Sequence, residues 1–212
     1  MPSTCPKCHR VVAEDVVCCA DLVYTWKCTQ CHKVTTGFAA PYGKCYMCGG
    51  ALEFVKGHEF DDPMKVQPIR DAVQFELNSY HFYRLALPKV TDPTVHAIIQ
   101  ELYQHEVDHL HTLQERYHTH LDEEILELRP DLDTLLADSL FQGIDFANPH
   151  DGPIRLYDKA IAMEHRTRDH FKRLAEELPE GPEREICGEL AAEEEEHVAL
   201  LEAEREQFLH HR

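Results

Sequence analysis

From residue 64 onward, apolar side chains recur at intervals of three and four, the spacing that places them on one face of an α-helix. Proline or glycine interrupts the pattern between the segments. The pattern predicts four long helices, at about 64–88, 93–120, 153–178 and 182–208, and a shorter one within 131–143. Short loops join the first two and the last two long helices, while about 30 residues join the pairs. We therefore expect a mainly α protein, a four-helix bundle with one long crossover.

The first 58 residues follow a different pattern, in which short β-like stretches alternate with cysteine and turn residues. Eight of the nine cysteines lie between Cys5 and Cys48. This segment has a formal charge of +2, whereas the remaining residues carry -20. We predict two domains: a small cysteine-rich β-ribbon at 1–58 and a helical domain at 59–212, with the polar stretch 57–63 at the boundary.

Each predicted long helix places one carboxylate within its apolar stripe, and two of the helices add a histidine three residues later. In chain order these residues are Glu76, Glu106 with His109, Glu164, and Glu194 with His197. An uncompensated buried carboxylate costs several kcal/mol, so four in one core require cations. Two divalent metal ions balance the four negative charges, and the Glu-x-x-His spacing keeps both side chains of a pair on one helical face.

These positions repeat at a fixed offset along the chain. Eighty-eight residues separate Glu76 from Glu164, Glu106 from Glu194, and His109 from His197. The repeat predicts a duplicated helical hairpin and a metal site with approximate twofold symmetry. The glutamates at 193, 195 and 196 are expected to face solvent, and the other histidines, including that at 105, to be exposed or to lie behind a ligand.

Three Cys-x-x-Cys units mark the first domain: Cys5/Cys8, Cys28/Cys31 and Cys45/Cys48. The two-residue gap lets both thiolates of a tight turn face one ion, and two such turns complete a tetrahedral site. The units at 28–31 and 45–48 form the best-spaced pair. Two alternatives remain for Cys5 and Cys8. They bind a second metal ion, for example zinc, together with one or both cysteines at 18 and 19, or they share an ion with the unit at 28–31 and so change the pairing of units in the ribbon.

The residues around the last two units resemble the rubredoxin-type module of rubrerythrins over about 30 residues. The likeness rests on Tyr24-Thr25-Trp26-Lys27-Cys28 and on Cys48-Gly49, and it departs at His32, where that family usually has glycine. Together with the helical ligand pattern, nearly the whole chain resembles a rubrerythrin, a member of the ferritin-like di-iron carboxylate superfamily, with its rubredoxin-like module at the N-terminus.

The resemblance implies a role for each of these residues. It makes the six helical residues Glu76, Glu106, His109, Glu164, Glu194 and His197 the di-iron ligands. It makes Cys28, Cys31, Cys45 and Cys48 the ligands of a mononuclear iron, with zinc as the competing metal. Tyr83 matches the family's tyrosine beside the di-iron pocket, and Tyr80 is a further candidate to hydrogen-bond an oxygen ligand.

The same resemblance implies reduction of hydrogen peroxide, with electrons passing from an external reductase through the cysteine-bound iron, in a homodimer or larger homo-oligomer. Thr167 departs from the family pattern, which usually has a further glutamate one turn after the third-helix ligand. This departure adds weight to a ferroxidase or iron-handling function, with O2 or peroxide as oxidant and a structural zinc ribbon. A third interpretation is a metal-stabilised binding module without enzymatic activity.

Charge and hydropathy limit the kinds of partner that we expect the chain to bind. With 39 acidic against 21 basic residues, the chain is poorly suited to bind nucleic acid or an anionic membrane. It has no apolar run of 18 residues, and its first residues lack the apolar core of a secretory signal. We expect a cytoplasmic protein, and in that reducing compartment Cys-x-x-Cys pairs bind metal rather than form disulfides.

Overall fold

The computed structural model describes residues 3–4, 11–12, 25–36, 43–45, 47–56, 63–117, 119, 121 and 123–210. Over these residues the chain is mainly helical, which confirms the predicted class, and a small β-sheet precedes the helices. No helix within these ranges combines the length and the apolar character needed to cross a bilayer.

The four long helices lie close to the predicted segments. In chain order the helices are α1 (Pro63–Ala86), α2 (Pro93–Tyr117), α3 (Glu123–Leu126), α4 (Pro130–Leu140), α5 (Asp151–Glu177) and α6 (Pro182–His210). A 3₁₀ turn, Leu87–Lys89, follows α1. Helix α2 ends three residues before its predicted end, and the short α3 was not predicted, because four residues are too few to show a helical period.

Side-chain caps explain where two of the long helices begin. The Oδ1 atom of Asp92 accepts hydrogen bonds from the N–H groups of Thr94 (3.0 Å) and Val95 (3.2 Å), directly before α2. Asn148 does the same for the N–H groups of His150 and Asp151, both at 3.0 Å, before α5. These bonds satisfy backbone donors that have no partner within the helix.

The β-structure consists of short antiparallel strands. Strands β1 (Ser3–Thr4) and β2 (Val11–Val12) pair with each other, and β3 (Thr25–Cys28) lies between β4 (Val34–Thr36) and β5 (Leu52–Lys56) in a three-stranded sheet. Trp26 pairs with Phe54 across β3 and β5, and their rings meet edge to face with centroids 5.8 Å apart. The sheet places Cys28 at the end of its central strand.

The helices enclose two apolar clusters. Helix α1 packs along α2, α5 packs along α6, and α1 also contacts α4, α5 and α6. One cluster contains Val73, Leu113, Phe171 and Leu190, and the other contains Tyr83, Leu102, Leu156, Leu201 and Leu136. All four long helices contribute to both clusters, and α4 covers the second.

The glutamates of α2, α5 and α6 lie where the two clusters meet. Along α2, Leu102 belongs to one cluster and Leu110 to the other, with Glu106 between them. The same order holds for the glutamates of α5 and α6. Apolar packing on both sides therefore fixes the level at which the helices present their carboxylates to one another.

The cysteine-bearing loop touches the helices through α4 and the residue before it. Arg129 donates a hydrogen bond to the carbonyl oxygen of Met47. A Cβ atom added at Gly49 would lie 3.3 Å from the Leu135 side chain, so the backbone here runs close to α4. Helix α4 is held to α1 in turn by an ion pair between Arg84 and Asp133.

Candidate metal centres

Four cysteines of the ribbon form one sulfur cluster. The Sγ atoms of Cys28, Cys31, Cys45 and Cys48 all lie within 4.8 Å of one another. Two of the separations are 3.4 Å, between Cys28 and Cys48, and 3.8 Å, between Cys31 and Cys45. The edge of a tetrahedron with metal–sulfur bonds of 2.3 Å is about 3.8 Å, so this set can hold one ion. The predicted ligands Cys5 and Cys8, and the cysteines at 18 and 19, lie outside the described residues.

Backbone N–H groups stabilise the thiolate form of Cys28, which is fully buried. The N–H groups of Gln30 and Cys31 point at the Cys28 sulfur, at 3.3 and 3.4 Å. Burial by itself would raise the pKa of Cys28, but these donors outweigh it and lower the pKa to about 6. The N–H group of Met47 approaches the Cys45 sulfur in the same way, at 3.4 Å. The loop therefore favours a charged Cys28 sulfur at neutral pH, the form that binds metal, whereas burial raises the pKa of the Cys45 thiol.

His32, which follows the Cys28/Cys31 unit, adopts the backbone conformation that Gly49 has after the Cys45/Cys48 unit. Its φ is 61°, and Gly49, which also directly follows a Cys-x-x-Cys unit, has a φ of 71°. The N–H group of His32 donates to the Cys28 carbonyl (3.1 Å), as Gly49 does to the Cys45 carbonyl (2.8 Å). The left-handed conformation costs a non-glycine residue about 1–2 kcal/mol. Histidine at position 32, where the rubredoxin-type pattern has glycine, therefore forms the same turn that Gly49 forms after the Cys45/Cys48 unit.

The helical carboxylates and histidines form two overlapping sets of buried ligands. One set consists of Glu76, Glu106, His109 and Glu194, and the other of Glu106, Glu164, Glu194 and His197. In each set the ligand atoms lie within 4.8 Å of one another. The structure thus brings together all six helical residues that the sequence singled out, and Glu106 and Glu194 belong to both sets.

The carboxylates of this cluster have few hydrogen-bond donors. All four glutamates are fully buried, and five of their oxygens accept no hydrogen bond from the residues that the structure describes. Burial raises the pKa of Glu106 and of Glu164 well above the usual range, and the charge of Glu194 raises both further. The pKa of Glu194 is raised to about 8, chiefly by burial and then by Glu76. Metal ions would supply the charge and the acceptor contacts that these groups lack.

His109 lies between a ligand carboxylate and an outer carboxylate. Its Nδ1 atom is 2.9 Å from Oε2 of Glu76, inside the cluster. Its Nε2 atom is 2.9 Å from Oε2 of Glu193, at the edge of the cluster. Burial lowers the pKa of His109, but Glu76 and Glu193 outweigh burial and raise it to about 11. In the metal-free protein a protonated His109 therefore offsets part of the negative charge.

His197 has an imidazole as its outer partner instead. Its Nδ1 atom is 3.1 Å from Oε2 of Glu194, inside the cluster, and its Nε2 atom is 3.0 Å from Nδ1 of His105. Burial lowers the pKa of His197. Both ligand histidines therefore direct Nδ1 toward the carboxylates and Nε2 toward an outer residue.

Tyr83 is part of the cluster, whereas Tyr80 and Thr167 are not. The buried Tyr83 hydroxyl donates a hydrogen bond to Oε1 of Glu164. The Tyr80 ring packs against Tyr103, with centroids 5.4 Å apart. The buried Thr167 hydroxyl donates to the carbonyl of Met163 in its own helix at 3.3 Å, so its hydrogen-bonding capacity is directed to the backbone.

A cavity of about 520 Å³ between α2 and α6 reaches both ligand histidines. Its lining includes five acidic residues and no lysine or arginine. The acidic residues are Glu101, Asp108, Glu189, Glu193 and Glu196. His105 also lines the cavity, beside His197. The cavity therefore connects the metal-ligand cluster to the protein surface through a negatively charged passage.

Sequence reasoning missed the contact that Glu193 makes. This residue was expected to face solvent, and its side chain is 52% exposed, yet its carboxylate contacts the ligand His109. The repeat contained the necessary signal, because Glu193 lies 88 residues after His105, the outer partner of the other ligand histidine.

Comparison of the chain with protein-family models, curated proteins and solved structures finds no match.

Proposed function

We propose that this chain is a rubrerythrin-like dinuclear non-haem metal oxidoreductase, built on a ferritin-like four-helix bundle, that reduces hydrogen peroxide. One observation carries the proposal: two buried ligand sets share Glu106 and Glu194. A structural ion needs a single closed set of ligands, whereas shared carboxylates hold two ions side by side, the arrangement that two-metal enzymes use.

The residues of the cluster meet the needs of two divalent ions. Glu76 and His109 would complete one metal position, Glu164 and His197 the other, and the shared glutamates would bridge them. Four carboxylates balance the charge of two divalent ions, and the five oxygens without donors offer free lone pairs. A ferrous pair held by these residues would supply one electron from each ion and a Lewis acid to polarise the O–O bond.

Side chains around the centre would position a ligand carboxylate and keep bulk water away from the reaction. Reduction of one peroxide molecule breaks its O–O bond, takes up two electrons and two protons, and releases two water molecules. The Tyr83 hydroxyl holds Glu164 in place, and the cavity between α2 and α6 gives peroxide a route to the histidine side of the centre. Full burial of the carboxylates limits access of bulk water.

We assign the cysteine site the role of electron relay. N–H groups directed at the sulfurs of Cys28 and Cys45 are contacts of the kind that tune the reduction potential of thiolate-bound iron. Cys28, Cys31, Cys45 and Cys48 would hold an iron that supplies one-electron chemistry, with an external reductase as the proposed electron donor, and zinc in its place would make the cysteine site structural. The proposal includes a homodimer or larger assembly, which would bring the cysteine site of one chain near the helical centre of another.

Metal analysis and the visible spectrum of the full chain, purified without added metal, test this function. We expect three irons per chain and the absorption of ferric thiolate. Two irons and one zinc would remove the internal electron donor. Absence of any redox metal would refute the oxidoreductase proposal.

Variants of the shared carboxylates test the assignment of the helical site. Glu106→Ala and Glu194→Ala should each abolish peroxide consumption and leave the helical circular dichroism nearly unchanged. Glu176→Ala removes an exposed carboxylate from α5 and serves as the control with unchanged activity. Turnover that persists in both site variants would refute the assignment.

The charge of the cavity favours a second candidate function, ferroxidase activity. An acidic passage without lysine or arginine concentrates cations and therefore suits Fe(II) as a substrate. Each Fe(II) would give one electron to O2 or peroxide and leave as Fe(III). Under this function, Glu101→Gln should slow Fe(II) oxidation several-fold at low ionic strength, and the centre should lose iron during turnover. Peroxide consumption with full retention of iron would favour the peroxidase function instead.

A further inference from the structure

The outer partners of the two ligand histidines are related by the same repeat as the ligands. His105 and Glu193 each lie one helical turn before a ligand histidine, at 109 and 197, and are themselves 88 residues apart. Each contacts the ligand histidine of the other half of the repeat: Glu193 contacts His109 at 2.9 Å, and His105 contacts His197 at 3.0 Å. The backbone thus places one outer residue behind each ligand histidine by a common geometry.

The two outer residues differ in chemistry although they are equivalent in position. A histidine that binds metal through Nδ1 carries its proton on Nε2 and donates that proton to its outer partner. For His109 the acceptor is a carboxylate, which makes a charge-assisted hydrogen bond. For His197 the acceptor is a neutral imidazole nitrogen, which makes an ordinary one. A stronger acceptor at Nε2 increases electron donation from Nδ1 and fixes the ring more firmly.

We propose that the two metal positions bind their ions with unequal affinity because Glu193 supports the His109 position and His105 supports the His197 position. This inference rests on the proposed dinuclear function. The position formed by Glu76 and His109 fills first and holds its ion more tightly, and the position formed by Glu164 and His197 fills second. Glu193 and His105 act as positioning residues, since each reaches the metal only through a ligand histidine.

Exchanging the outer residues gives a matched test, because each half of the repeat supplies the replacement for the other. Loss of such a partner typically lowers metal affinity 10–100-fold. Glu193→Ala should weaken the first, tighter step by about 10–100-fold and leave the second within about threefold. His105→Glu should tighten the second step by about tenfold. Glu193→Gln, whose amide oxygen still accepts a hydrogen bond, should fall between wild type and Glu193→Ala.

The measurement is a Co(II) titration of the chelator-treated full chain, followed by calorimetry and visible absorption. Intense sulfur-to-cobalt bands identify the ion at the cysteine site, so the weaker bands of ions bound by nitrogen and oxygen report the helical centre alone. Glu206→Ala, which removes an exposed carboxylate from the last turns of α6, is the control and should reproduce the wild-type curve. The fold of each metal-free variant is checked by its helical circular dichroism.

The outcomes separate this inference from the proposed function. Wild-type protein that takes up no cobalt beyond the thiolate-bound ion would refute the dinuclear function itself. Two cobalt ions of equal affinity, or Glu193→Ala and His105→Glu variants that change both steps alike or neither, would refute the inference and leave the dinuclear function standing. If Glu193→Ala does not fold, His105→Glu decides the question, since a carboxylate at 105 either tightens the second step or does not.

Discussion

Glu194 should contribute less and less to the stability of metal-free protein as the pH rises from 5 to 8, because the folded state holds its carboxylate protonated. Burial and the neighbouring glutamates raise the pKa of Glu194 from 4.5 to about 8. Between these two values the folded chain keeps a proton that the unfolded chain releases. The stability contributed by Glu194 therefore falls with rising pH across this window, and it is fully present only below pH 4.5.

The contribution of Glu194 can be calculated from this shift and isolated by a variant. One pKa unit corresponds to about 1.4 kcal/mol, so three pH units cost the folded state about 4 kcal/mol. Other groups titrate in opposing directions: burial lowers the pKa of His81 to about 3, and backbone donors lower that of Cys28 to about 6. Because those groups are the same in both proteins, the difference between wild type and Glu194→Gln removes their contribution and reports Glu194 together with its effect on the pKa values of Glu106 and Glu164.

Urea unfolding of the chelator-treated chain at pH 5, 6, 7 and 8, followed by helical circular dichroism, measures this difference. Wild type should lose about 4 kcal/mol more than Glu194→Gln between pH 5 and 8, whereas the control Glu176→Gln should follow wild type. Added Co(II) should reverse the trend in wild type, because a metal-bound carboxylate is deprotonated and binding competes with protons. Parallel curves for wild type and Glu194→Gln would show that Glu194 does not titrate as a buried acid and would refute the reasoning.

Three further predictions concern single contacts. Tyr83→Phe leaves an oxygen of Glu164 without its donor and should lower the unfolding free energy of metal-free protein by about 1–3 kcal/mol in a urea titration; an unchanged midpoint would show that the hydroxyl is not needed there. Cys45→Ser should remove one metal ion per chain by elemental analysis and leave the metal of the helical centre in place; loss of both would contradict two independent sites. Leu201→Ala should cost about 2–5 kcal/mol, against less than about 0.5 kcal/mol for the partly exposed Leu209→Ala, and equal costs would contradict the assigned core.

The helices and the residues of the helical cluster could be predicted because each depends on local sequence. Long apolar stripes fix the helices, and Asp92 and Asn148 mark two of their starts through bonds that span only two or three residues. A glutamate within an apolar stripe must turn inward once the helix packs. The offset of 88 residues then relates the two halves before any tertiary contact is known.

Contacts between distant elements could not be predicted in this way. His81 was grouped with exposed or outer histidines, yet it is fully buried, and its Nε2 atom lies 2.6 Å from the carbonyl oxygen of Ile125 in the long connection. The connection has no periodicity that would locate this carbonyl. The backbone conformation of His32 could not be predicted for a related reason. Its positive φ is one that glycine adopts most readily, and the hydrogen bond from the His32 N–H group to the Cys28 carbonyl, seen only in the structure, accompanies it.

The repeat constrains the ligands and the outer residues to different degrees. Glu106 and Glu194 each belong to both ligand sets, so changing either would disturb both metal positions and leave buried charge uncompensated. The outer residues at 105 and 193 each touch one ligand histidine and line an open cavity, where water can solvate either a carboxylate or an imidazole. A duplicated hairpin can therefore keep its bridging carboxylates identical while its outer residues diverge. The asymmetry that we propose between the two metal positions would therefore arise at the edge of the centre, where a change of chemistry costs the fold little.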